Sequence, residues 1–129
     1  MNARKKVLLV DDEAAMTRVL KRSLEDSGEF EVHVENSGRS GLEAARSYGP
    51  DVVLLDMIMP DMPGSEFLAH IRSDVALHKT PVVFLTAVLP DEADEEASAL
   101  LNACPGIPKP ARADDVISTL REVLRRDEA

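Results

Sequence analysis

Tryptophan is absent and aromatic side chains make up only 3% of the chain. A core drawn from 129 residues that are 44% hydrophobic must therefore be aliphatic, built from Val, Leu, Ile, Ala and Met. The single cysteine, Cys104, excludes an intrachain disulfide and fits a reducing compartment, so a cytoplasmic location is expected. No apolar run approaches the roughly 20 residues of a membrane span. The basic start, Arg4-Lys5-Lys6, resembles the opening of a leader peptide, yet the apolar run behind it ends at Val10 and meets Asp11-Asp12-Glu13. Basic charge is scarce too, with 15 Lys and Arg against 24 Asp and Glu and a net charge of -9. A sequence-independent grip on nucleic acid needs clustered cations. The two small groups present, Arg4-Lys5-Lys6 and Arg121 with Arg125 and Arg126, read as solvated ends. Direct contact with nucleic acid or membrane is not expected.

What the chain does have is alternation. Short apolar runs (Val7 to Val10, Val52 to Leu55, Val82 to Leu85) alternate with segments of helical period. That pattern predicts βαβ units and a parallel sheet covered on both faces. Ala14 to Ser27 predicts a helix with Met16, Val19, Leu20, Ser23 and Leu24 on one stripe. Phe30 to Val34 alternates like a half-exposed edge strand. Ser40 to Tyr48 predicts a helix stopped by Gly49-Pro50, and Ser65 to Arg72 another after a loop from Met57 to Gly64. Asp91 to Leu101 predicts a helix with an acidic first turn (Asp91, Glu92, Asp94, Glu95), which suits its dipole. Ala103 to Pro108 is the weakest strand, and its Pro105 and Gly106 confine it to an edge. Ala113 to Arg126 closes the series. Five β/α units in one domain, residues 1–129, are expected.

The chemistry sits where these strands end. Asp11 and Asp12 follow the first apolar run directly, Asp56 follows the second, Thr86 the third, and Lys109 the edge strand. Parallel sheets gather their ligands at such carboxyl ends. Three crowded carboxylates repel one another unless a cation is present. Hard oxygen ligands of this kind suit Mg2+, with Asp12 and Asp56 binding directly and Asp11 through water. The competing account, an acid capping the following helix, suits one of the Asp11-Asp12 pair but leaves Asp56 unexplained. Asp56 is the best nucleophile candidate, because a carboxylate can attack phosphorus to form an acyl phosphate. Lys109 would then pair with one phosphoryl oxygen and Thr86 would donate to another.

The segments VLLVDDE (7–13), VVLLDMIMPDMPG (52–64), VVFLTA (82–87) and PKP (108–110), with their mutual spacing, resemble the receiver domain of two-component response regulators over nearly the whole chain. The resemblance implies a flavodoxin-like α/β fold, (βα)5, with strand order 2-1-3-4-5, the order of flavodoxin itself. It implies phosphorylation of Asp56 by a phosphohistidine on a sensor histidine kinase or histidine phosphotransfer protein. It adds the backbone carbonyl of Ile58 to Asp12 and Asp56 as a Mg2+ ligand. It also implies an output partner, of unknown identity, at the face formed by the fourth helix, fifth strand and fifth helix. His33, His70 and His78 read as surface residues, since the donor histidine belongs to the partner.

Two departures from the family follow. Receivers commonly carry Tyr or Phe three residues before the lysine, and this chain has Gly106 there, with Ala111 in place of another frequent aromatic. An aromatic rotamer switch is therefore excluded, and signalling through the backbone around Ala87, Val88 and the fourth helix is expected instead. The positions that flank the path of an attacking water, Ile58 and Val88, are both apolar, which predicts slow self-dephosphorylation. Cys104 reads as a buried strand thiol. Two alternatives stand beside a free receiver: a receiver within a larger regulator or hybrid kinase, and, remotely, a Mg2+-dependent aspartyl-phosphate phosphatase, which would need an acid where Ile58 stands. A flavin or nucleotide binder would need a phosphate-cradling loop in place of Asp11-Asp12-Glu13.

Overall fold

In the computed structural model, residues 3–87 and 93–128 are described. Five parallel strands form one sheet in the order β2-β1-β3-β4-β5. They are β1 (Lys5–Val10), β2 (Phe30–Glu35), β3 (Val52–Asp56), β4 (Val82–Thr86) and β5 (Gly106–Pro108). The helices between and after them are α1 (Ala14–Asp26), α2 (Gly38–Tyr48), α3 (Gly64–Ser73), α4 (Glu95–Ala103) and α5 (Ala113–Glu128). The expected strand order is the one observed.

The unbroken apolar runs are the central strands because both of their faces are covered. Successive side chains alternate between those faces. Leu8, Val10, Val53, Leu55, Val82 and Phe84 pack with α2 and α3 residues such as Leu42, Ala45, Phe67 and Ile71. Val7, Leu9, Val52, Leu54, Val83 and Leu85 pack on the other face with Leu20 and Leu24 of α1 and Val116 and Leu120 of α5. Register holds the strand ends level: Val10 lies opposite Leu55, and Asp56 opposite Leu85.

Local signals place the helix ends. Ser37 caps α2 by accepting from the Ser40 amide, and Gly49 closes it at φ 66°, a conformation that favours glycine. Asp94 caps α4, accepting from the Ala97 amide at 2.8 Å.

Several boundaries differ from expectation. The α1 stripe is centred on Thr17, Leu20 and Leu24, while Val19 is 67% exposed. Strand β5 covers only Gly106–Pro108. Cys104 is buried, as expected, but at the C-terminal cap of α4 and not within a strand. Helix α4 starts at Glu95, so Asp94 is its cap, and Asp91 and Glu92 lie outside the described residues.

Candidate functional site

Among the described residues the buried polar side chains are Asp11, Thr17, Asp56 and Thr86. Three of these four stand at the carboxyl end of β1, β3 or β4. Burying polar groups is costly unless they are paired, so their partners define the site.

Asp11 follows β1 and is fully buried. Its backbone is anchored twice: the amide donates to Glu35 O at 3.1 Å, and the carbonyl accepts from Asn36 Nδ2 at 2.7 Å. Its Oδ1 accepts from the Glu13 amide at 3.0 Å. The helix-capping position itself is Glu13, whose side chain makes no capping bond, so neither Asp11 nor Asp12 is the α1 cap. Asp11 Oδ2 is buried and receives no hydrogen bond among the described residues. The Lys109 ammonium lies 2.7 Å from it and faces it as a charge, not as an aligned donor. Asp12 is exposed beside it.

Asp56 ends β3. Its Oδ1 accepts from the Ile58 amide at 3.2 Å and lies 3.4 Å from Lys109 Nζ. Burial, and next the charge of Asp11, push its carboxyl up to about 6, against the opposing pull of the Ile58 amide and Lys109. Lys109, just after β5, also holds Glu13 Oε1 at 3.1 Å. Burial acts most strongly on this lysine and favours its neutral form. The close contacts of Asp11 and Glu13, with the charges of Asp56 and Asp11, together outweigh burial and hold it above the ordinary lysine range. The Lys109-Pro110 peptide bond is cis.

The loop after Asp56 is fixed at both ends. Met57 N donates to Leu85 O at 3.1 Å, and Gly64 N donates back to Met57 O at 2.8 Å. A Cβ at residue 64 would stand 2.9 Å from that same carbonyl oxygen, so only glycine fits. The loop carries Ile58, whose side chain is 65% exposed. Asp12, Glu13, Asp56, Ile58, Ala87 and Lys109 line an open cleft of about 310 Å³. A groove of about 180 Å³ lies on the other side of Ile58, against Pro63 and α4. Its walls are largely apolar, and Asp56 and Lys109 line the cleft instead.

Asp11, Asp12 and Asp56 each offer a carboxylate oxygen, and these atoms lie within 4.8 Å of one another. Three carboxylate oxygens this close fit a hard divalent cation. Thr86 ends β4 but does not line the cleft, whereas the next residue, Ala87, does; the Thr86 hydroxyl donates to Met57 Sδ at 3.8 Å. Val88 lies outside the described residues. Gly106 is in β5 opposite Phe84. His33 is paired with Glu35, His78 contacts Val75 O and His70 lies near Glu66, all away from the cleft. Sequence reasoning assigned no role to Glu13 or Asn36. The available signal was their position, directly after the Asp pair and directly after β2.

Comparison with known proteins agrees with this geometry. The family described as response regulator receiver domain matches residues 7–121. The transcriptional regulatory protein TrcR of Mycobacterium tuberculosis is 37% identical over 123 residues, which are 94% of this chain and 46% of TrcR. The transcriptional regulatory protein CpxR of Escherichia coli is 36% identical over 121 residues, 94% of this chain and 50% of CpxR. The chain thus spans about half the length of these relatives. A CheY-like receiver domain from Methanospirillum hungatei superposes with a TM-score of 0.84 at 28% identity, covering 98% of each chain. The chemotaxis protein CheY4 of Vibrio cholerae superposes with a TM-score of 0.82 at 31% identity, covering 94% of this chain and 99% of that one. Receiver domains generally bind Mg2+, response regulators are phosphorylated by histidine kinases, and the family is one of signalling modules, not of catalytic enzymes. No helix among the described residues is long and apolar enough to cross a membrane. With the phosphorylatable Asp cluster in place, the chain belongs to the response regulator receiver domain family and is a phosphoacceptor module of two-component signalling.

Proposed function

We propose that Asp56 is the phosphoacceptor and that Asp11, Asp12, Lys109, Thr86 and the Ile58 backbone carbonyl serve its reaction. An Asp56 carboxylate oxygen attacks the phosphorus of a phosphohistidine on a sensor kinase or phosphotransfer protein. The phosphorus-nitrogen bond breaks, and the imidazole leaves and takes up a proton. Asp12 and Asp56, with the Ile58 carbonyl, would hold Mg2+, and Asp11 would act through water; bound there, the ion offsets charge on the phosphoryl oxygens. Lys109 exchanges part of its contact with Asp11 and Asp56 for a phosphoryl oxygen. Thr86 donates its hydroxyl to another oxygen on leaving Met57. Slow self-dephosphorylation follows from apolar Ile58 and Val88, which cannot orient water. The change then reaches an output partner at the α4-β5-α5 face.

The observation that carries this reading is the close triad of acids with a partly buried lysine whose ammonium lies 2.7 Å from Asp11 Oδ2. Incubation with Mg2+ and acetyl phosphate, followed by intact mass, tests it. The expected result is a base-labile phosphoryl adduct that Asp56→Asn abolishes. An adduct that persists in the variant refutes the assignment. A second reading, a receiver acting within a longer transcriptional regulator, is favoured by the likeness to half of TrcR and CpxR. The full gene length decides it.

A further inference from the structure

Helix α4 is held less firmly than its neighbours. None of its residues is buried, and it meets the core through the partly buried Ala97, Leu100 and Leu101. Elements with little buried contact occupy the low end of local stability. One of those contacts has an unusual seat. Gly106 leaves an empty place on the sheet face that carries Phe84, and Leu101 fills it: its Cδ2 lies 2.5 Å from where a Cβ of residue 106 would stand. That same point is 3.9 Å from the Thr86 methyl carbon. One small space therefore borders on Thr86, on the Gly106 backbone and on a side chain from α4.

We propose that Leu101 is a positioning residue that couples Thr86 to α4. The proposal rests on the phosphoacceptor reading of Asp56. A rotamer step of about 120° at Thr86 carries its methyl group to another of the three staggered positions as the hydroxyl swings. Such a step, made to reach a phosphoryl oxygen, changes the space beside Gly106 by about one methyl group. Leu101, partly buried against the core and seated in this space, registers a change of that size. Leu101 shifts in its seat, and because α4 has few other core contacts, the helix shifts with it. The glycine is what makes the coupling available: a side chain at 106 would occupy the seat itself and leave Leu101 outside.

Hydrogen exchange of the amides of 95–103, measured on the whole chain with Mg2+ in the presence and absence of beryllofluoride, tests the coupling. The dissociation constant of the mimic is measured alongside. In the wild type, saturating beryllofluoride should change exchange in α4 roughly tenfold, a typical coupling between two sites. Leu101→Ala should bind the mimic within roughly threefold of the wild type while losing the α4 response, and Leu101→Met, similar in volume, should restore it. Gly106→Ala reads the same contact from the other side, since its Cβ displaces the far end of a flexible side chain. It should speed α4 exchange without the mimic and have no such effect in a Leu101→Ala background. A full α4 response in Leu101→Ala, or unaltered α4 exchange in Gly106→Ala, overturns the proposal while leaving the phosphoacceptor reading intact. Failure of the wild type to bind the mimic at all overturns that reading and the coupling with it.

Discussion

Replacing Asp56 by its amide should stabilise the metal-free protein. Asp56 is buried at the end of β3 with Asp11 beside it, and its carboxyl is pushed up to about 6 from an ordinary 3.8. A raised carboxyl means that the native state binds a proton more tightly than the unfolded chain does. The resulting stability is fully present below pH 3.8 and is lost as pH rises through about 6. At neutral pH the ionised side chain therefore opposes folding by at most about 3 kcal/mol, at 1.36 kcal/mol per pH unit. The carboxylate faces an open cleft where water screens it, so about 1–2 kcal/mol is the better expectation. Asparagine keeps the shape and removes the charge. Thermal melts in EDTA at pH 7.5 should show Asp56→Asn roughly 4–7 °C above the wild type for a domain of this size. The gap should narrow to about a third at pH 4.5, where the wild-type carboxyl is mostly protonated in the native state. Mg2+ should close it from the other direction, raising the wild type by about 1.4 kcal/mol at ten times its dissociation constant and the variant by less. An asparagine variant that melts below the wild type at pH 7.5 in EDTA, or a gap independent of pH, would refute the electrostatic account of this site.

Three further perturbations address the neighbours. Lys109→Met keeps the aliphatic stem but strands the buried Asp11, and should cost about 2–3 kcal/mol in urea unfolding, partly recovered by Mg2+; an unchanged midpoint counts against this ion pair. Gly64→Ala drives a Cβ to 2.9 Å from the Met57 carbonyl oxygen and should cost about 1–3 kcal/mol, with the phosphorylation rate falling alongside because the Asp56 loop must move. Ile58→Asn alters an exposed side chain, so stability should stay within about 0.5 kcal/mol. The same variant should shorten the phosphoryl lifetime roughly tenfold, the worth of one hydrogen bond to the attacking water, and an equal or longer lifetime removes Ile58 as a tuning position.

The fold was legible because its central strands are buried on both faces. Val7 to Val10, Val52 to Leu55 and Val82 to Leu85 stand out as unbroken apolar runs only because α1 and α5 cover one face while α2 and α3 cover the other. The edges were harder to read. Periodicity shows that α1 has an apolar stripe but not where its centre falls. Thr17, whose hydroxyl is bonded to Ala14 O and to Asn36, takes the inner position that apolarity alone gives to Val19. Strand β5 is short because it needs only to pair with β4, and its one buried residue, Ile107, is the only apolar anchor visible in a stretch containing Pro105 and Gly106.

The site was legible wherever a strand delivers a residue directly, as it does for Asp11, Asp56, Thr86 and Lys109. What a strand end cannot show is which way its neighbours turn. Asp11 and Asp12 are adjacent acids, and the sequence does not show that the first is buried against Lys109 while the second faces solvent. The same limit applies to Gly106. Sequence reveals a missing side chain there, and by itself this reads as a loss. The space was closed by Leu101, five residues earlier on α4, through a turn whose geometry no local pattern records. A residue absent from a strand and a residue present on the preceding helix thus form one contact. The absence at 106 relocates the link between β4 and the outer face to α4, and does not abolish it.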